Sequence, residues 1–110
     1  MSKEENSKRY DLEDRTYEFA RRVRAFVKDL PRTVSNREDV KQLVRASGSI
    51  AANYIEANES LSRKESKESR LFLRLVDVGT EAAVARERVS LVQEAMELTS
   101  ILGAIIRKSE

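Results

Sequence analysis

One proline and three glycines are all that punctuate the backbone of this 110-residue chain. With so few turn-forming residues, and 36% of the chain charged, long solvent-facing helices are favoured over sheets. Pro31 is the firmest stop, because the residue before a proline is pushed out of the helical region. Upstream of it, Leu12, Thr16, Phe19, Val23, Phe26, Val27 and Leu30 recur at steps of three and four. They predict a first helix over about 11–29 with one apolar face. Residues 1–9 are polar and mixed in charge and are expected to form a disordered tail, leaving 10–110 as one domain.

A second helix is expected over 37–58, capped by Ser35 or Asn36, with Glu38 and Asp39 in its first turn. Its stripe is Val40, Leu43, Val44, Ser47, Ile50, Ala51, Tyr54 and Ile55. Gly48 lies in a run of small residues, where it either lets a neighbouring helix approach closely or breaks the helix. Ser62 and Glu65 have capping-box spacing and predict a third helix over 63–77, with Phe72, Leu75 and Val76 inward and Gly79 at its end. A fourth helix over 81–107, for which Thr80 can cap, shows Val84, Leu91, Leu98 and Ile105 at seven-residue steps. Ala95 and Leu102 fill the intermediate positions, and Val92, Thr99 and Ile106 widen the stripe. The expectation is an all-α protein, an antiparallel up-down four-helix bundle with a short third helix. Because that helix is short, Val84, Leu91 and one end of the helix-two stripe are expected to be uncovered, which marks an oligomer interface.

Composition closes several functional classes. The chain has no His and no Cys, so a Ser-His-Asp triad, a Cys-His pair and His or Cys metal sites cannot be built. Three glycines cannot supply a Walker or dinucleotide phosphate loop. The expectation is no enzyme, no cofactor and no metal. Net charge is only +2, so a case for nucleic acid depends on where the cations sit. No apolar run is expected to reach the ~20 residues that span a bilayer, the first residues lack the apolar core of a secretory signal, and absent cysteine suits a reducing cytoplasm. A cytoplasmic protein with no membrane partner is expected.

Tyr10-Asp-Leu-Glu, Leu30-Pro31 and above all the block from Gln42 to Glu65 resemble the 23S rRNA intervening-sequence family of bacterial four-helix-bundle proteins. The segment Glu68–Leu75, the stretch Glu94-Ala-Met-Glu-Leu and the run Ile105-Ile-Arg-Lys108 fit the same pattern. Members of that family resemble the accessory protein of diversity-generating retroelements, a pentameric barrel whose basic surface engages nucleic acid. The resemblance implies a bundle that self-assembles, carries no established catalytic residues and takes RNA or DNA as partner. The chain departs from the pattern in helix three, which in the family continues for further turns between Glu65 and the Glu-Ser-Arg segment, so an internal deletion is read here. A pentamer is therefore the first expectation, and a dimer with exchanged helices the second, since a short connection promotes swapping.

Three constellations could carry such a function. Arg63, Lys67, Arg70 and Arg74 follow steps of four, three and four, which places them on one arc of helix three, opposite Phe72 and Val76, with only Asp77 nearby. Aligned cations of this kind suit a phosphate backbone. Tyr17, Arg21, Arg24 and Lys28 form a second stripe, where an aromatic among cations could stack on a base. Arg45, Asn53 and Glu56 could make a polar pocket on helix two. The competing readings are solvated charged faces for the stripes and an inter-helix tie for the pocket. The functional expectation is a nucleic-acid-binding bundle; the rival is a protein–protein interaction scaffold with no nucleic-acid role.

Overall fold

The structure is a computed structural model that describes the backbone of residues 3–109 and the side chains of residues 12–109. Among the described residues it is all-α, with four helices and no strand: α1 (Lys3–Val27), α2 (Val34–Ile55), α3 (Glu59–Leu75) and α4 (Ala82–Ser109). The first helix begins well before the expected 11 and takes up most of the segment read as a disordered tail. The molecule is elongated, 48 × 22 × 17 Å. α1 packs on α2 and α4, and α3 packs on α2 and α4. The core joins Leu12, Phe19, Val23 and Phe26 of α1, Leu43 and Ile50 of α2, Leu73 and Val76 at the end of α3, and Val84, Leu91, Ala95, Leu98 and Leu102 of α4.

Helix boundaries moved wherever a side chain supplied an unexpected cap. α2 is capped by Thr33, whose hydroxyl accepts from the Asn36 amide at 3.1 Å. Asn36 is instead buried, and its side chain ties the turn after α1 to the loop after α3. α2 continues through Gly48 without a break and ends at Ile55. There the Ala57 amide donates to the Tyr54 carbonyl and the Asn58 amide to the Asn53 carbonyl, a Schellman pair with Ala57 at φ 59. Asn58 then caps α3 through Leu61, so the expected Ser62–Glu65 capping box is not formed.

α3 departs furthest from expectation. Its inward face is Ser62, Glu65, Ser66, Ser69 and Leu73, whereas Leu75 is 56% exposed and Phe72 only half-buried. Each buried serine hydroxyl donates internally: Ser62 to the Ile50 carbonyl at 2.7 Å, Ser66 to Arg63 at 2.7 Å and Ser69 to Glu65 at 2.9 Å. Ser66 also shares a 2.7 Å hydrogen bond with Thr99. A serine satisfied in this way is buried at little cost and lets α3 sit close to its neighbours.

Val84 and Leu91, expected to be uncovered, are 6% and 0% exposed. α1 is longer than expected and reaches along α4, where Arg15 grips Glu94 with bonds of 2.7 and 3.1 Å and Arg22 reaches Glu87 at 2.8 Å. Ile55, at the end of the α2 stripe, is exposed as expected; the other exposed large apolar side chains are Leu61, Leu71 and Leu75 on α3, Val89 and Met96 on α4, Val34 on α2, and Tyr17 on α1. α4 also contains an 18-residue stretch that is apolar enough, by length and composition alone, to cross a membrane. The expectation that no such stretch exists is corrected on that point; the helix alternates its apolar face with Glu87, Glu94 and Glu97, which pair with α1.

Candidate nucleic-acid interface

A helix advances about 1.5 Å per residue, so Arg63, Lys67, Arg70 and Arg74 line up over roughly 17 Å of α3. Because the core contacts of α3 are Leu73 and its serines, the arc does not stand opposite the core. It runs beside the seam with α4. Arg63 lies against Gly103, and Arg74 shares a shallow groove with Arg88, Val89, Val92 and Gln93 of α4. Lys67 is exposed and shares a groove with Arg63, Ser60, Lys64, Glu68 and Leu71.

Among the described residues, none of these four cations has a carboxylate within ion-pair distance. Asp77, the one acid expected near the arc, accepts instead from the Gly79 amide at 2.9 Å. The Nε atoms of Arg63 and Arg70 are buried without any hydrogen-bond partner. A buried guanidinium donor with no acceptor is costly. Arg88 belongs to the same seam and is fixed by donating to the Val76 carbonyl at 2.8 Å.

The α1 stripe is less coherent. Tyr17 is 61% exposed, as stacking requires. Arg21 is paired with Glu18 at 3.0 Å, and that hydrogen bond raises its pKa further. Arg24 folds back to donate to the Ala20 carbonyl at 3.1 Å and rests on Gly48. Lys28 falls beyond the end of the helix. Sequence spacing placed these residues on one face, but local partners have taken two of the three cations.

The polar pocket on α2 is not assembled. Arg45 turns to α3, reaching Glu68 at 2.6 Å and Glu65 at 3.3 Å. Asn53 donates back to Ser49 at 2.9 Å, and Glu56 is exposed at the helix end. The hydrogen bond from Arg45 holds Glu68 below the usual carboxylate range, and that same bond holds Arg45 above its ordinary value. Thus Arg45 is a tie between α2 and α3. No group of acidic side chains suited to a metal ion occurs among the described residues.

Two contributors escaped the reading of the sequence. Arg88 and Arg107 look like ordinary surface charges on α4, and only the packing of α3 against α4 brings them to the arc. No family model matches the chain, and no curated protein or solved structure matches it either.

Proposed function

We propose that this chain is a non-enzymatic helical-bundle protein of the 23S rRNA intervening-sequence type that binds RNA or DNA through the cationic arc of α3. In this reading the four helices form an antiparallel up-down bundle, the protein works in a bacterial cytoplasm, and it assembles with itself, as a pentamer first and a helix-swapped dimer second. The observation that carries the binding reading is the arc itself: Arg63, Lys67, Arg70 and Arg74 share one side of a helix without a carboxylate partner among the described residues. Such cations neutralise phosphates and release their counterions.

Binding to structured RNA, titrated across salt concentrations, tests this. Affinity is expected to fall by about one log–log unit per phosphate contact. Changing the four arc residues together to Gln is expected to flatten that slope with helicity retained. Binding that is absent, or unmoved by those changes, refutes the reading.

A specific observation favours the assembly component and, on its own, the scaffold reading. Leu71 and Leu75 are 49% and 56% exposed beside Lys67, and Val89 on α4 is 69% exposed. Sedimentation at micromolar concentration decides it: a single species near 12.6 kDa overturns self-assembly.

A further inference from the structure

An open groove of about 610 Å³ runs along α4 on its α1 side, and its charges are sorted by position. Arg22 of α1 and Arg86 of α4 line one end, Glu94 and Glu97 line the other, and Val89, Ser90 and Gln93 lie between. From Arg86 to Glu97 is about 16 Å, three turns of helix. Val89 and Gln93 also line the groove on the α3 side, so they form the ridge between the two. Along that ridge Arg86, Val89, Gln93 and Met96 follow steps of three, four and three, and all are exposed. Val89, at 69%, is the most exposed large apolar side chain of α4.

The inner charges of the groove are already engaged: Arg22 donates to Glu87 and Ser90, each at 2.8 Å, and Glu94 accepts from Arg15. The outer ones are not. Among the described residues Arg86 has no carboxylate within ion-pair distance. The Glu97 side chain is 50% exposed, with Arg15 at 3.6 Å and the Gln93 amide at 3.4 Å. Apolar surface between a free cation at one end and an exposed carboxylate at the other fits a partner with the same groups in reverse order. This chain is such a partner. We infer that the outer face of α4 is an isologous contact, along which α4 of a second copy lies antiparallel. A two-fold axis through the middle of the groove sets Arg86 of each copy beside Glu97 of the other, and the two Val89 side chains flank the axis. A parallel pair would set Arg86 against Arg86 and Glu97 against Glu97, so charge fixes the direction. Exposed ion pairs add little affinity, so burial of Val89 and Met96 drives the contact.

The contact rests on the self-assembly proposed above and names its face; a patch that meets itself closes at two copies without exchange of helices. Sedimentation of the full chain from low to several hundred micromolar tests it. The parent is expected to pass from 12.6 kDa to twice that mass. Arg86→Glu or Glu97→Arg puts like charges together at both ends of the contact and is expected to weaken the dimer at least about tenfold. The double variant restores both pairs and is expected to return to within about threefold of the parent. Val89→Ser is expected to weaken the dimer while helicity stays unchanged. Glu97 also touches Arg15 within its own chain, so Arg86→Glu and Val89→Ser keep the test decisive even if Glu97→Arg fails to fold.

The chain has no cysteine, so added ones report direction cleanly. An equal mixture of Arg86→Cys and Glu97→Cys chains, when oxidised, is expected to give mainly the mixed cross-link, because that pairing brings the two thiols together and keeps one ion pair. Cross-links mainly within each variant overturn the antiparallel contact. A mass that stays at 12.6 kDa throughout overturns the contact and the self-assembly reading together. An assembly whose affinity ignores both Arg86→Glu and Val89→Ser leaves self-assembly standing and overturns this face alone.

Discussion

Asn36 and Asp77 hold each other through two hydrogen bonds of 2.9 Å, the Asn36 side-chain amide donating to the Asp77 carbonyl and the Asp77 amide donating to Asn36 Oδ1. The same Asn36 amide also donates to the Pro31 carbonyl at 2.9 Å. One buried side chain thereby bonds three backbone groups in two loops, the farther of them 41 positions from Asn36 in sequence. It fixes where α2 starts relative to where α3 ends.

Replacing Asn36, itself 2% exposed, by Ala leaves the Asp77 amide and carbonyl unpaired, whereas the Pro31 carbonyl keeps its bond from the Thr33 amide at 3.1 Å. Each buried unmet group costs about 1–3 kcal/mol, and water entering the vacated space recovers part of it. Asn36→Ala is expected to destabilise the protein by about 2–4 kcal/mol in urea unfolding. Asn36→Asp is expected to be no better, because a carboxylate oxygen would then face two carbonyls. A change under about 0.5 kcal/mol, the scatter of ordinary surface substitutions, would mean that the clamp between the loops is not formed.

Ala57 is a non-glycine residue at φ 59, in the position of the α2 C-terminus that glycine favours. A left-handed conformation costs a residue with a Cβ about 1–2 kcal/mol, and glycine loses part of that gain through its freer unfolded chain. Ala57→Gly is therefore expected to raise stability by about 0.5–1 kcal/mol and to raise the melting temperature by a few degrees. A lower melting temperature would contradict the turn geometry.

Much of the architecture was legible because α1 and α4 follow plain helical periodicity. Phe19, Val23 and Phe26, and likewise Ala95, Leu98 and Leu102, are buried where their spacing puts them. α3 was not legible in this way. Its buried face is largely serine, whose hydroxyls are satisfied by backbone carbonyls that no periodicity displays. For that reason periodicity alone points Phe72 and Leu75 inward and sets the arc on the far side of the helix. Spacing alone groups the four arc residues on one side of α3, but Gly103, Arg107 and Arg88 join them only through the packing of α3 against α4, which periodicity within one helix does not display.

The Arg45–Glu68 contact carries a pH dependence. Its hydrogen bond lowers the Glu68 pKa in the fold, so the stabilisation is present above the unfolded carboxylate value and is lost as pH falls through the lowered folded value. Glu68→Gln is expected to be less stable than the parent at neutral pH, by no more than about 1 kcal/mol for so exposed a pair. The gap should close as pH drops below the carboxylate range. Urea unfolding of both proteins at neutral and strongly acidic pH checks the sign, and a gap that widens in acid would show that Glu68 is stabilised when protonated.

Gly48 was expected to admit a neighbouring helix, so that bulk at this position would drive helices apart. In the structure the nearest atom to a Cβ there is Arg24 Nη2 at 3.1 Å, followed by Arg24 Nη1 at 3.9 Å. No backbone of another helix comes that near. The end of an arginine side chain yields by a few tenths of an ångström with little cost, unlike a packed backbone. What remains is helix propensity, in which alanine leads glycine by about 1 kcal/mol inside a helix. Gly48→Ala is accordingly expected to stabilise the protein by somewhat less than about 1 kcal/mol, the shift of Arg24 taking the remainder. Destabilisation by Gly48→Ala would show that α1 and α2 approach more closely at this point than the Arg24 contact implies.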